Sequence, residues 1–276
     1  MSLIGSKQPD AAGPSQPQSA PAQQPISRQK FGKLQVQTYG SREALATASS
    51  ADIHAALTDC LKRNGKARMV LAAAPSQAEL LGQLAQARGI DWSLVTLFHM
   101  DEFIGLPERA PQRFAVWLER NFFSKVPQAE VHRITPEPAP EAEAKRYADL
   151  LNRVEIDIVC LGIGVNGHIA FNDPPVADFG DPLDVKVVEL DRTCRLQQVD
   201  DQGFSSLAEV PTHAITLTIP RLLRAAKLFC SVPGAHKAEA VRHCLNGAIT
   251  TAWPASILRT HPDCTLYVDK ESNPDA

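Results

Sequence analysis

The chain has 276 residues, 44% of them hydrophobic and 21% charged, with a net charge of −3. That is enough apolar material for a sizeable buried core. The slightly negative balance excludes a broad basic face for nucleic acid, and no apolar run approaches the roughly 18–20 residues of a membrane span.

Residues 1–30 are rich in Pro, Gln, Ala and Ser, as in KQPDAAGPSQPQSAPAQQPISRQ. Such a stretch buries too little apolar area to offset its ordering entropy, so a disordered tail is expected there, with one domain over residues 31–276. No apolar h-region marks a signal peptide. LQVQTY then reads as a short strand. Ser41 is a plausible N-cap for a helix running to about Arg63, with Gly65 beyond its end. ARMVLAAA is a compact apolar strand. A helix from about Gln77 follows, with Leu80, Leu81, Leu84 and Ala85 on one face. SLVTLFHM is the next strand, ended by Asp101 and Glu102. PQRFAVWLERNFF and EAEAKRYADLLNRV read as helices, and IDIVCLGI is the most apolar strand. VKVVEL, HAITLTI, KLFCSV and CTLYVD are further strands, and AHKAEAVRHCLNG is a helix. Apolar strands alternating with helices predict a single-domain, three-layer α/β/α fold around a mostly parallel, Rossmann-like sheet.

The six cysteines are scattered, with no CxxC pair. They read as reduced thiols of a cytoplasmic protein, and neither a disulfide framework nor a structural metal is expected.

In open parallel sheets ligands bind beyond the carboxyl ends of the strands, so the residues after each strand are the candidates. Four loops qualify. PSQ places Ser76 and PGAHK places Lys237 at the starts of helices, where free N–H groups favour an anion. Each also has a plainer reading, Ser76 as an N-cap and Lys237 as a solvated cation. Neither loop is a P-loop or a GxGxxG fingerprint. DEF supplies Asp101 and Glu102; an acid there is either a cap or a general base whose pKa burial raises. The densest loop is LGIGVNGHIAFNDPP, in which Gly162, Gly164 and Gly167 allow close backbone approach. A lone histidine is more often structural than catalytic, but Asn166 and Asp173 flank His168, and a carboxylate can fix the tautomer of an imidazole and raise its basicity. The set is an acid–base unit suited to proton transfer on a small molecule.

FHMDEFIGLP, GIGVNGHIAFNDP and PGAHKAEAV, in chain order, resemble three signatures of the glucosamine-6-phosphate deaminase/isomerase family, and the similarity runs from about residue 34 to 270. The resemblance implies an enzyme without cofactor that converts glucosamine 6-phosphate and water to fructose 6-phosphate and ammonia. By the same resemblance Asp101 is the base that moves a proton between two sugar carbons through a cis-enediol-type intermediate. His168 assists ring opening, with Asn166 and Asp173 orienting it. Ser76, Arg195 and Lys237 hold the phosphate, and Gly167 and Glu102 join the substrate-binding set, Glu102 in a supporting role. Asp173 stands where the family usually has Glu, and AAAPSQ departs from its GxTP-like phosphate loop. Residues 178–195 correspond to a lid region or to an ordinary surface connection. The implied partner is a phosphorylated amino sugar, with no nucleic acid and no membrane, and a homo-oligomer is compatible with the resemblance. Three readings stay open beside it: a galactosamine-6-phosphate deaminase, a 6-phosphogluconolactonase, or a non-catalytic sugar-phosphate-binding protein.

Overall fold

The computed structural model describes residues 24–276. The first 23 residues of the expected tail lie outside the described residues. Its last few form a strand, so the ordered domain begins earlier than residue 31.

In chain order the elements are β1 (Ser27–Phe31), β2 (Leu34–Tyr39), α1 (Arg42–Asn64), β3 (Ala67–Leu71), α2 (Ala78–Gln86), β4 (Val95–His99), β5 (Asp101–Phe103), α3 (Phe114–Asn121), β6 (Glu130–Val131), α4 (Pro140–Leu151), β7 (Ile158–Leu161), β8 (Val185–Glu189), α5 (Arg192–Asp200), β9 (His213–Leu217), α6 (Ile219–Leu223), β10 (Lys227–Val232), α7 (Ala238–Asn246) and β11 (Cys264–Asp269). Short 3₁₀ turns at Pro75–Gln77 and Ala235–Lys237 lead into α2 and α7.

The expected α/β/α architecture is present. Eight strands form a sheet in the order β1-β2-β11-β10-β7-β3-β4-β6, antiparallel only at β1–β2. Successive side chains on a strand face opposite sides, and the core divides accordingly. Val70, Val159, Leu161, Leu228 and Leu266 pack on one face. Met69, Leu71, Ile158, Cys160 and Tyr267 pack on the other, against α1 and α2. Helix α1 keeps its expected ends: the Ser41 hydroxyl accepts from the Ala44 N–H, and Gly65 closes the helix at φ 71°, a conformation that costs a side chain energy. All six cysteines are buried and free. No helix among the described residues is long and apolar enough to cross a membrane.

The strands read from VKVVEL and HAITLTI do not join the parallel sheet. They form β8 and β9 of a separate three-stranded antiparallel sheet, β5-β9-β8. The chain passes from one sheet to the other at Met100, whose N–H bonds Leu71 in the large sheet while its carbonyl accepts from Leu217 in the small one. Asp101 and Glu102 therefore do not end β4; they begin β5. Behind this small sheet Phe103, Phe114, Phe171 and Phe204 form an aromatic cluster. Helix α5 was not foreseen, because RTCRLQQVD carries no apolar stripe even though Asp191 caps it at the Thr193 N–H.

Candidate active site

A cavity of about 450 Å³ opens beyond the carboxyl ends of β3, β4, β7 and β10, where the topology places it. Asp101, His168, Ser76 and Lys237 line it. The four loops singled out in the sequence therefore do converge.

Asp101 sits at the start of β5, only 6% exposed. Burial, followed by the nearby Glu102 and Asp173 carboxylates, pushes its pKa well above the ordinary carboxylate value. Its backbone is held from behind by His99, which is fully buried. The Asp101 carbonyl can only accept, so the His99 Nδ1 that lies 2.9 Å from it carries the proton; Nε2 in turn accepts from the Ile134 N–H. His99 is thus a neutral imidazole of fixed tautomer, and burial lowers its pKa to about 4. The Tyr147 hydroxyl braces it further, accepting from the His99 N–H and donating to the His99 carbonyl, both at 2.9 Å.

Glu102 points the other way. Its carboxylate accepts from the N–H groups of Phe103, Phe114 and Ala115, each at 3.0 Å, which caps the start of α3. It is fully buried and does not border the cavity, so its place in the substrate-binding set is corrected to that of a helix cap. Burial raises its pKa to about 7 against the opposing pull of those three donors.

His168 is positioned by its own loop. Its Nδ1 lies 2.7 Å from Asn166 Oδ1 and 2.9 Å from Asp173 Oδ1, and Asn166 Nδ2 donates to the same Asp173 oxygen at 3.0 Å. With Nδ1 engaged, Nε2 is the nitrogen left for chemistry. The shorter Asp173 still reaches the imidazole, because the chain turns tightly after it: its carbonyl accepts from the N–H groups of Val176 and Ala177. Burial works to raise the Asp173 pKa, but His168, Asn166 and the Cys194 thiol together hold it below the ordinary value. Asn166 and Asp173 both contact the imidazole and do not line the cavity.

The glycines have distinct tasks. A Cβ on Gly164 would come within 2.0–2.3 Å of the His168 ring, so the imidazole lies directly on this backbone. Gly167, at φ 81°, faces Trp253 and not the cavity, which corrects its assignment to substrate contact. Ala170 adopts a left-handed φ of 49° at the cavity wall, in a turn closed by the Ile169–Asn172 bridge. The two halves of the site are joined through β9. Thr216 pairs with Asp101, and its hydroxyl accepts from the Phe171 N–H at 3.0 Å.

At the far end of the cavity Ser76 and Lys237 lie in the 3₁₀ turns that open α2 and α7. Gln77 Nε2 bridges the Ser76 hydroxyl at 3.2 Å and the Ser231 carbonyl at 3.1 Å. Lys237 is only 5% exposed, and burial lowers its pKa to about 8. Arg195 is not here. It does not line the cavity; its Nη2 donates to the carbonyls of Leu207 and Val210, both at 2.8 Å, which staples the loop after α5, while its Nε is buried without a partner. Residues 178–195 do not border the cavity either; Gln197, Gln198, Asp201 and Phe204 do. The sequence reading missed these, along with Arg42 and His236. His236 was adjacent to a recognised lysine, whereas Arg42 gave no sign beyond following the Ser41 cap.

His168, Asp173 and Cys194 bring three potential metal-ligand atoms within 4.8 Å of one another. They are already committed to each other: His168 pairs with Asp173, and burial keeps the Cys194 thiol protonated where a metal needs a thiolate.

The fold places Asp101 and His168 in one cavity at the edge of a doubly covered, mostly parallel sheet. The chain belongs to the family described as glucosamine-6-phosphate isomerases/6-phosphogluconolactonase, whose pattern matches residues 40–267. It is 36% identical to a glucosamine-6-phosphate deaminase of Exiguobacterium sp. over 208 residues, 75% of this chain and 80% of that one. It is 34% identical to one from Streptococcus pneumoniae over 213 residues, 76% of this chain and 87% of the relative. Among solved structures, a monomeric glucosamine-6-phosphate deaminase of the NagB superfamily superposes with a TM-score of 0.78 at 29% identity, covering 86% of this chain and 98% of that one. A 6-phosphogluconolactonase from Shewanella baltica superposes with a TM-score of 0.69 at 18% identity over 85% and 96% of the two chains, a likeness of fold.

Proposed function

We propose that the protein is a glucosamine-6-phosphate deaminase, converting glucosamine 6-phosphate and water to fructose 6-phosphate and ammonia in a reducing, cytoplasmic compartment. The observation that carries this reading is a buried acid and an oriented imidazole facing one cavity whose other end carries Ser76 and the Lys237 ammonium.

His168 Nε2 takes the proton of the C1 hydroxyl and delivers it to the ring oxygen as the C1–O5 bond breaks and the C1 aldehyde forms, while Asp173 stabilises the charge that the imidazole takes up. Asp101 then removes the proton at C2 as the aldehyde becomes an enol, and returns it at C1. The C1 aldehyde carbon is thereby reduced and C2 becomes an imine. Water adds at C2, ammonia leaves and the ketose remains. A base that must also return its proton works best with a pKa near the operating pH, and burial moves Asp101 in that direction. No cofactor enters this scheme.

The test is ammonia release from glucosamine 6-phosphate, with galactosamine 6-phosphate and 6-phosphogluconolactone run alongside. The glucosamine substrate should turn over, and Asp101→Asn should lower kcat by about 100- to 10,000-fold, the span of general acid–base catalysis. Lactone hydrolysis without ammonia release would sink the proposal.

A further inference from the structure

Resting on that functional reading, we infer that Arg42, the first residue of α1, supplies the guanidinium of the anion-binding end of the cavity, together with His236, Ser76 and Lys237. Lys237 is the anchor of the argument. The residue is only 5% exposed, lines the cavity and makes no ion pair or hydrogen bond among the described residues. A buried, uncompensated ammonium is costly, and a ligand anion relieves that cost.

Arg42 borders the same cavity. Its Nη2 donates to the Pro75 carbonyl at 2.6 Å, which fixes the guanidinium beside the Ser76 turn. A guanidinium has five donors, and this contact uses one. Among the described residues one carboxylate, Glu79, comes within 4 Å of it, at 3.9 Å from Nε and beyond hydrogen-bond range, and that pair is partly exposed, so it adds little. The position is also electrostatically wrong for a helix: a cation on the first residue of α1 opposes the positive end of the helix dipole. Its placement is accounted for by the cavity and not by the helix. His236 also lines the cavity; burial, then the Lys237 and Arg42 charges, lower its pKa against the opposing pull of Asp201 and Asp269, which favours a neutral imidazole able to donate. Asp201 is the acid that faces Lys237 across the cavity, so this end holds two fixed cations against one acid. Arg195, the only arginine the sequence offered for this task, is engaged by the Leu207 and Val210 carbonyls.

The experiment measures inorganic phosphate binding by calorimetry, and KM and kcat for glucosamine 6-phosphate, in the native protein, Arg42→Gln, Arg42→Lys and Lys237→Met, with the melting temperature of each. Arg42→Gln should weaken phosphate about 10- to 100-fold, as expected for a charge-assisted hydrogen bond, and raise KM with kcat nearly unchanged. Arg42→Lys should recover part of the affinity. Phosphate binding in Arg42→Gln equal to the native value, with Lys237→Met weakened, would overturn the assignment. So would equal losses in Arg42→Gln and Arg42→Lys accompanied by a fall in melting temperature, which marks a structural tie to Pro75. If no amino sugar phosphate is turned over, the functional reading fails, while the phosphate titration still decides the role of Arg42.

Discussion

The two ends of the cavity are built on opposite plans. At the proton-transfer end the Asp101 backbone and the His168 ring are held by protein. His99 fixes the Asp101 backbone, and Asn166 and Asp173 share the His168 Nδ1–H. At the anion end Arg42 and Lys237 line the cavity, and Lys237 is buried with no ion pair or hydrogen bond among the described residues, the Asp201 charge acting on it only through space. The first end is preorganised, which is where a chemical step needs its geometry paid for in advance. The second is incomplete until a ligand supplies the missing charge. Variants at the two ends should therefore divide: losses at the first fall on kcat, and losses at the second on KM.

The larger effect belongs to the first end. Asp173→Asn preserves shape but removes the charge that stabilises a protonated His168, and its amide can turn an N–H toward Nδ1 and impose the other tautomer. We expect kcat to fall on the order of 100-fold with KM changed little, comparable to losing most of a general acid–base contribution. Steady-state kinetics decide it; a KM effect with kcat intact would put Asp173 at the wrong end of the cavity.

The second end should respond to pH. Burial lowers the Lys237 pKa to about 8, so the free protein loses this cation as pH rises through that value. Phosphate is already a dianion there, so its own charge stays constant. Its affinity should drop about fivefold between pH 8 and pH 9 as the ammonium fraction shrinks. Lys237→Met should bind weakly with a flat profile. The same shift has a sign for stability: the folded state sheds this proton before the unfolded chain does, so the buried ammonium costs stability below pH 8, and that cost fades between about pH 8 and 10.5. A phosphate affinity unchanged from pH 7.5 to 9.5 would show that Lys237 is solvated and outside the anion site.

The same division explains what the sequence disclosed. The proton-transfer end is made largely from one contiguous loop, Gly164 to Asp173, and the acid that ends the FHM stretch, so chain order brings its parts together. Helix α1 was equally legible, since Ser41 and Gly65 are local signals. Tertiary facts were not. HAITLTI is a strand on its residues alone, but only the switch at Met100 places it beside Asp101 in a second sheet. Arg195 and Arg42 are both arginines near helix starts, and nothing local separates the one that staples a loop from the one that lines the cavity. Glu102 looked like a member of the site because it is next to Asp101, yet adjacent residues on a strand face opposite ways.

That last contrast gives the smallest and most physical test. Asp101 and Glu102 are neighbours with raised pKa values, but one faces the cavity and the other caps α3. For Glu102 the folded pKa is about 7 against an ordinary value of 4.5. Between those values the folded state binds more protons than the unfolded chain, so stability falls as pH rises from about 4.5 to about 7 and then levels off for this group. The whole effect is on the order of 3 kcal/mol, from 1.36 kcal/mol per pKa unit. Urea unfolding across that window should show the fall in the native protein and a flatter curve in Glu102→Gln. The residual slope belongs to Asp101, whose raised pKa acts in the same direction and should disappear in Asp101→Asn. Because Glu102 does not border the cavity, Glu102→Gln should leave the maximal kcat near native but move the Asp101 limb of its pH profile to lower pH, since one of the charges that raise the Asp101 pKa is gone, whereas Asp101→Asn lowers kcat by about 100- to 10,000-fold. Parallel unfolding curves for the native protein and Glu102→Gln would mean that the three backbone donors already hold Glu102 ionised, and that the cap carries no cost of burial.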